Sequence, residues 1–453
     1  MIRRSLKEIE IMVEGHGLKD EFYDLQMEGV VIDSRNVVTG NLYIPIIGER
    51  VDGHSFVKQA IASGASCVFW QKDIPDMPTD IPVIIVDNTL TALQKLAIAY
   101  KDELQMKVIG ITGSNGKTST KDILASILAT SYKVHKTPGN FNSEFGMPLT
   151  LLMAPVDTEI VVLEMGMRGL GQIKLLSDMA KPDVSIITCI GEAHIEELGS
   201  RHNISIAKFE ITSGLNDEGL FVFHGDEPLL LDRINESKPN FKMISFGDKA
   251  TNDFYPTSID VEDSGMTFTI AQSDITFKLS VLGKHNVMNT LSAIATARHF
   301  GVSYENIKKG LANVETSGKR MEILHANNGL MIIDDTYNSS PTSVRATLEL
   351  LYSLTGYGKK IVVLADMLEL GDETINYHSF VGADIDAKKI DTLLTFGPLS
   401  RHTSYASKVA NTKHFDDKVA LATYLKEISS KNDVCLIKGS RGMALEDVIN
   451  EII

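Results

Sequence analysis

The sequence predicts an α/β protein of three domains. A small N-terminal α/β domain covers 1–105, a central P-loop domain with a parallel sheet and an antiparallel addition covers 106–316, and a C-terminal Rossmann-like domain covers 317–453. Three observations predict it. The 453 residues suit about three domains of roughly 150 each. Apolar runs of strand length alternate with segments of helical period, the pattern of a parallel sheet covered by helices. The alternation changes once, at 254–282, where Met266-Thr267-Phe268-Thr269-Ile270 has the period of a hairpin strand.

In the first domain Leu6, Ile9, Met12 and Val13 share one helix face that stops near Gly15. Gly29–Asp33, Asn41–Pro45, Ser66–Trp70 and Val83–Val86 read as strands. A helix containing Phe56, Val57, Ala60 and Ile61 lies between the second and third of these, and a helix from Thr91 to Glu103 closes the unit.

The second domain opens with the most informative stretch of the chain. Val108-Ile109-Gly110-Ile111-Thr112 reads as a buried strand. It runs into Gly113-Ser114-Asn115-Gly116-Lys117-Thr118-Ser119, and Ile123, Leu124, Ile127 and Leu128 follow at helical spacing. Strand, glycine loop and helix in that order form a phosphate cradle. Backbone N–H groups point inward, the positive end of the helix dipole adds to the field, and Lys117 reaches the outer phosphates. Thr118 is placed to bind Mg²⁺. The loop is a variant, because the usual Gly-x-x-x-x-Gly-Lys-[Ser/Thr] spacing requires glycine at 111 and the chain has Ile111. A nucleoside triphosphate is the expected ligand.

Two further apolar runs of this domain end in polar residues. Ile160–Leu163 leads to Glu164, and Val184–Thr188 leads to Gly191-Glu192-Ala193-His194. Ligands of open α/β sheets sit at the carboxyl ends of the strands. Glu164 is therefore a candidate Mg²⁺ ligand, direct or through water, and His194 a candidate neighbour, although hard cations favour oxygen. Lys208 lies in a helix-like segment, where a solvated charge is the ordinary reading. Asn286 and Asn289 open a helix near 286–300 and either cap it or contact nucleotide; a second helix follows near 304–312.

The linker Thr316-Ser317-Gly318-Lys319-Arg320 leads to the third domain. Arg320 is either a surface residue or a hinge arginine that reaches phosphate on closure. Strands are expected at Leu330–Ile333, Ile361–Leu364, Thr392–Phe396 and Val434–Ile437. The first has no Gly-x-Gly-x-x-Gly behind it. Asp335, Tyr337 and Asn338 stand there instead, lining a cleft or forming a turn. Lys438-Gly439-Ser440-Arg441-Gly442 follows the last strand and suits an anionic group or a plain basic loop.

Composition narrows the partners. Hydrophobic residues make up 43% and charged residues 23%, ordinary for a globular chain, and the net charge of −15 argues against a nucleic-acid backbone as partner. No apolar stretch approaches the roughly 18 residues of a membrane span, and the basic N-terminus lacks an apolar core of signal-peptide length. Cys67, Cys189 and Cys435 are odd in number and far apart, each in an apolar strand-like run. They read as buried free thiols in a reducing, cytoplasmic setting. A monomer is the default expectation.

Taken together the motifs resemble the ATP-dependent Mur ligases of bacterial peptidoglycan synthesis across essentially the whole chain. The strings that carry the resemblance are Asp33-Ser34-Arg35, Val51-Asp52-Gly53-His54-Ser55-Phe56, the loop 112–118, the Asn-rich run 139–150, Leu163-Glu164-Met165-Gly166-Met167, Gly191–His194, 335–341 and 438–442. The Asn-rich, Glu-Met-Gly-Met and Tyr-Asn strings fit the D-alanyl-D-alanine-adding branch. The alternatives are a branch adding a single amino acid, as the third-residue Mur ligase does, and a folylpolyglutamate synthase. A nucleotide-switched binding protein is the reading from another class, and the Asn-Lys-x-Asp string of switch GTPases is missing.

The resemblance implies ATP, two Mg²⁺, UDP-N-acetylmuramoyl-tripeptide and D-alanyl-D-alanine as ligands. Ser34, Arg35, Asp52, Gly53 and His54 would lie near the UDP end, and Asn140 and Asn142 near the muramoyl-peptide. Asn286, Asn289, Arg320, Asp335, Tyr337 and Asn338 would face nucleotide or reacting groups. Lys438 and Arg441 would meet an anion of the substrates. Lys117, Glu164, His194 and Lys208 would form the catalytic set, with Thr118, Glu164, His194 and a CO₂-carbamylated Lys208 as metal ligands.

Overall fold

The computed structural model describes residues 1–262, 265–315 and 318–453. Thr316 and Ser317, at the expected boundary between the second and third domains, lie outside the described residues. The chain forms three units in sequence, each with its own parallel sheet.

The first unit has four parallel strands, Val30–Val31, Leu42–Tyr43, Cys67–Gln71 and Val83–Val86, in that order. A two-stranded antiparallel ribbon, Arg3–Ser5 with Gln26–Glu28, was not expected from the sequence. Three-residue strands carry too little period to be read. The helix Leu6–Met12 starts at a capping box in which Ser5 and Glu8 satisfy each other's backbone N–H groups. Asn88 caps the long helix Thr89–Leu104, and Gln105 ends it in the left-handed region.

This unit is fastened to the central one. Ile2 N donates to Leu152 O at 2.8 Å, Tyr100 Oη to Ala154 O at 2.9 Å and the buried Lys101 Nζ to Ala180 O at 3.1 Å. Their apolar cores are continuous.

The central sheet has six parallel strands in the order Lys242–Phe246, Leu220–His224, Val184–Ile187, Lys107–Thr112, Ile160–Glu164, Val134–Lys136. The strand that feeds the glycine loop is central, with Val184–Ile187 on one side and Ile160–Glu164 on the other. The chain turns to opposite sides of it, which creates the crevice where α/β sheets bind ligands. The expected antiparallel addition is a three-stranded sheet, Pro256–Glu262, Gly265–Ile270 and Ser273–Leu279. The helices Lys284–His299 and Tyr304–Ala312 follow.

The third sheet runs Glu322–His325, Met331–Asp335, Val434–Lys438, Lys360–Ala365, Thr392–Phe396, Asn411–Phe415, parallel except for its first strand. No described helix is long and apolar enough to cross a membrane.

Candidate active site

The carboxyl ends of the central sheet open into a cavity of about 370 Å³ between the central and C-terminal units. The glycine loop forms its floor. Gly116 precedes the helix Lys117–Leu128 with φ +81° and without a side-chain cap, so the first helical N–H groups are left for a ligand. A Cβ on Gly116 would stand 2.4 Å from Asn289 Oδ1, and one on Gly113 1.8 Å from Thr188 Oγ1. Only glycine lets the loop pass between these two side chains. Ser114, Asn115 and Ser119 complete the loop's share of the lining.

Lys117 Nζ donates to Gly113 O at 2.7 Å. Burial lowers its pKa, the Glu164 charge opposes this, and the Arg320 charge adds to it. Beside it, Thr118 Oγ1 donates to Glu164 Oε2 at 2.7 Å and Asn142 Nδ2 donates to Glu164 Oε1 at 2.8 Å. Glu164 N donates to Thr137 Oγ1 at 2.9 Å, and the buried Lys121 Nζ donates to Thr137 O at 2.9 Å. The Glu164 carboxylate is thus fixed from both ends.

A hydroxyl, a carboxylate and an amide side by side are the hard oxygen donors that suit Mg²⁺. Among the described residues no three His, Cys, Asp or Glu side chains gather into a metal-holding group. An ion here would complete its shell with water and phosphate oxygens. His194 lines the same cavity, with Nδ1 lying 3.0 Å from Glu369 Oε2 and off a hydrogen-bond axis.

The structure corrects several sequence expectations. Lys208 is a buried residue of the helix Arg201–Phe209 rather than a solvated one. Burial holds its amine well below the ordinary lysine range, and the Lys117 charge pushes it further down. Cys67 and Cys435 are buried in strands as expected, but Cys189 lies past the end of Val184–Ile187, in the cavity wall. Neither Asn286 nor Asn289 caps the helix Lys284–His299; Gly283 holds that position. Both amides face the cavity, Asn289 Nδ2 donating to Asn286 Oδ1 at 3.1 Å. Asn142 serves Glu164, while Asn140 is exposed.

The C-terminal unit supplies the opposite wall. The Arg320 guanidinium lies over the Tyr337 ring, 4.0 Å from its centroid. Lys438 Nζ reaches Asp335 Oδ2 at 2.5 Å and Asn338 O at 2.8 Å. Its charge is therefore spent inside the fold, ordering the loop after the strand Met331–Asp335. Arg441 points elsewhere and pairs with Glu446, so the two basic residues of 438–442 do not form one anion site.

The first-domain candidates form a separate group. Ser34 Oγ donates to Gln59 Oε1 at 3.1 Å, and the exposed Arg35 chelates Asp33, whose carboxyl it holds down to about 2. His54 is buried edge-on to Trp70. Its Nδ1 is 2.6 Å from Asp52 Oδ1 and its Nε2 accepts from Gln71 N at 3.4 Å. With both nitrogens engaged, His54 acts on a ligand only through the Asp52-Gly53 turn that it braces. A Cβ on Gly53 would stand 2.7 Å from Ile46 N.

Three models of one family match the chain in order. They are the Mur ligase family catalytic domain at 26–101, the Mur ligase middle domain at 111–297, and the Mur ligase glutamate ligase domain at 319–441. The chain belongs to the Mur ligase family. It is 44% identical to the UDP-N-acetylmuramoyl-tripeptide–D-alanyl-D-alanine ligase of Bacillus subtilis, over 100% of this chain and 99% of the relative. It is 33% identical to the enzyme of that name from Escherichia coli, over 95% and 94%. Among solved structures it superposes on MurF from Acinetobacter baumannii with a TM-score of 0.91, 28% identity, and 100% and 99% coverage. It superposes on the MurF ligase from Thermotoga maritima in complex with ADP with a TM-score of 0.84, 29% identity, and 94% and 97% coverage. This Mur ligase is an α/β enzyme of the family's three-domain architecture.

Sequence reasoning missed two cavity residues that the strand-end and helix-start rules could have found. His224 ends the strand Leu220–His224, and His285 stands beside Asn286 at the start of its helix. Burial pushes the His285 imidazole down to about 4, so it is neutral across the physiological range.

Proposed function

We propose that this Mur ligase joins D-alanyl-D-alanine to UDP-N-acetylmuramoyl-tripeptide at the expense of ATP, giving the pentapeptide nucleotide in the cytoplasm of a bacterium. The observation that carries the reading is the interdomain cavity. It combines an uncapped P-loop helix, a carboxylate–hydroxyl pair fit for Mg²⁺ and an arginine from the third domain. The full-length likeness to ligases of that name supports the choice of substrates.

The peptide carboxylate is a poor electrophile. In this reading its oxygen attacks the γ-phosphorus of ATP in line, the bond to the β-phosphate oxygen breaks, and an acyl phosphate and ADP result. Lys117 leaves Gly113 O for the phosphates, and the loop N–H groups and Arg320 take the developing charge. Mg²⁺ held by Thr118 and Glu164 would neutralise phosphate oxygens. The neutral amine of D-alanyl-D-alanine then attacks the acyl carbon, phosphate departs, and the amine proton leaves with it. Burial pushes the Lys208 amine toward its neutral form, the form that reacts with CO₂, and the resulting carbamate anion would suit a second ion that His194 also serves. The first domain would hold the UDP end through Ser34, Arg35 and the Asp52-Gly53 turn, with Asn140 near the muramoyl-peptide.

The test is phosphate release with ATP, Mg²⁺ and UDP-N-acetylmuramoyl-tripeptide, with and without D-alanyl-D-alanine. Release that requires the dipeptide, with a pentapeptide product of matching mass, is the expected result. Release that follows a single amino acid or glutamate instead would move the assignment to another branch of the family.

A further inference from the structure

We propose that Glu369 is a positioning residue of the ligation, a carboxylate that the C-terminal unit brings to His194 and that orients its imidazole only when the units are closed. The inference rests on the ligase reading above in giving His194 work at the phosphate end of the cavity.

The geometry is unusual at both ends of the contact. His194 has φ +66° and Glu369 has φ +63°, the left-handed region in which a side chain's Cβ crowds the backbone. Two strained residues from different domains face each other, with Glu369 Oε2 3.0 Å from His194 Nδ1. That nitrogen makes no hydrogen bond among the described residues, so the carboxylate is the partner at hand. Backbone strain of this kind persists where the surroundings impose it, and it gathers at working sites.

The segment around His194 is gripped on either side by the same unit. Glu196 N donates to Glu369 O at 3.3 Å. Glu192 Oε2 accepts from Thr342 N at 3.1 Å and from Thr342 Oγ1 at 2.6 Å. His194 therefore sits between two attachments that exist only when the third unit is docked. A carboxylate on one imidazole nitrogen fixes the tautomer, holds the ring's orientation and raises the basicity of the other nitrogen. Closure then does two things at once: it shields an acyl phosphate from water, and it completes the orientation of His194.

The test compares Glu369→Gly, which removes the carboxylate and suits φ +63°, with Glu369→Gln, which keeps the reach and one acceptor oxygen. Glu369→Gly is expected to lower kcat about tenfold or more with KM for ATP changed less than about threefold, and Glu369→Gln to recover part of the loss. Combined with His194→Ala, Glu369→Gly should add nothing to the loss that His194→Ala causes alone, because one residue acts through the other. A readout free of turnover accompanies these assays. Hydrogen exchange at the amides of Ile195–Leu198 should slow when a non-hydrolysable ATP analogue is added to the unaltered chain, and fail to slow in Glu369→Gly. Wild-type kcat in Glu369→Gly, an additive loss in the double variant, or unaltered exchange protection would each overturn the proposal. If the unaltered chain shows no dipeptide-dependent turnover, the ligase reading fails by itself, and the exchange result still decides the closure contact.

Discussion

Replacing Lys117 by methionine separates catalysis from stability. The lysine is desolvated, and Gly113 O at 2.7 Å is its hydrogen-bond partner. One unit charge about 4 Å from a phosphate oxygen is worth about 4 kcal/mol at an effective dielectric of 20. Arg320 remains in the cavity and offsets part of the loss. A net effect of about 3 kcal/mol is expected, on the order of a hundredfold in kcat. Stability should behave differently. Methionine fills similar volume without the desolvation cost of a buried ammonium, so the lost bond to Gly113 O is balanced and the change stays within about 1 kcal/mol. The assay is dipeptide-dependent phosphate release at saturating ATP and Mg²⁺, run beside thermal unfolding of the ligand-free protein. A kcat within about fivefold of the unaltered enzyme would refute the charge argument. A large fall in unfolding temperature would refute the burial argument.

Gly116→Ala places a methyl 2.4 Å from Asn289 Oδ1 at φ +81°, so ATP affinity measured by calorimetry should fall about tenfold or more. Gly139→Ala, at φ +51° with nothing within 4 Å of the new methyl, carries the backbone cost alone and should leave ATP affinity unchanged. His285 titrates near 4 in the fold against about 6.5 unfolded, so between these values the unfolded chain binds more protons and stability rises with pH. The contribution of the neutral ring is lost as pH falls from 6.5, and His285→Gln should flatten that acid-side slope of unfolding temperature against pH. An unchanged slope would show that the ring is not held neutral.

The Mur ligase framework was legible wherever an element was long or its punctuation strong. Val83–Val86 and Thr392–Phe396 occur at their expected limits, and the helix Thr89–Leu104 extends its expected span by a residue or two at each end. The three-residue strands Arg3–Ser5 and Val134–Lys136 escaped notice, and so did the five-residue strands Leu220–His224, Lys242–Phe246 and Asn411–Phe415. Of the expected site residues, Lys117, Thr118, Glu164, Asn142, His194, Asn286, Asn289, Arg320, Asp335, Tyr337, Asn338 and Lys438 line one cavity. The spacing could not show that Lys438 neutralises Asp335, 103 residues away, or that Asn142 belongs to Glu164.

By itself the sequence determined the strand–loop–helix that cradles phosphate, because those residue types at that spacing dictate local backbone conformation. It also determined the alternation that builds parallel sheets, because period and punctuation are local properties. The resemblance of the motifs then named the chemistry. Only the tertiary structure decided which strand ends meet. The order of strands in the central sheet puts Thr188 and Glu164 on opposite sides of the loop, and docking of the third unit brings Arg320 and Glu369 to it. Tertiary structure also decided how far the Lys208 amine is pushed toward its neutral form, since burial of the side chain is the main cause. Burial is set by the whole packed chain, so the same lysine reads as a solvated charge in a local window and as a desolvated amine in the fold.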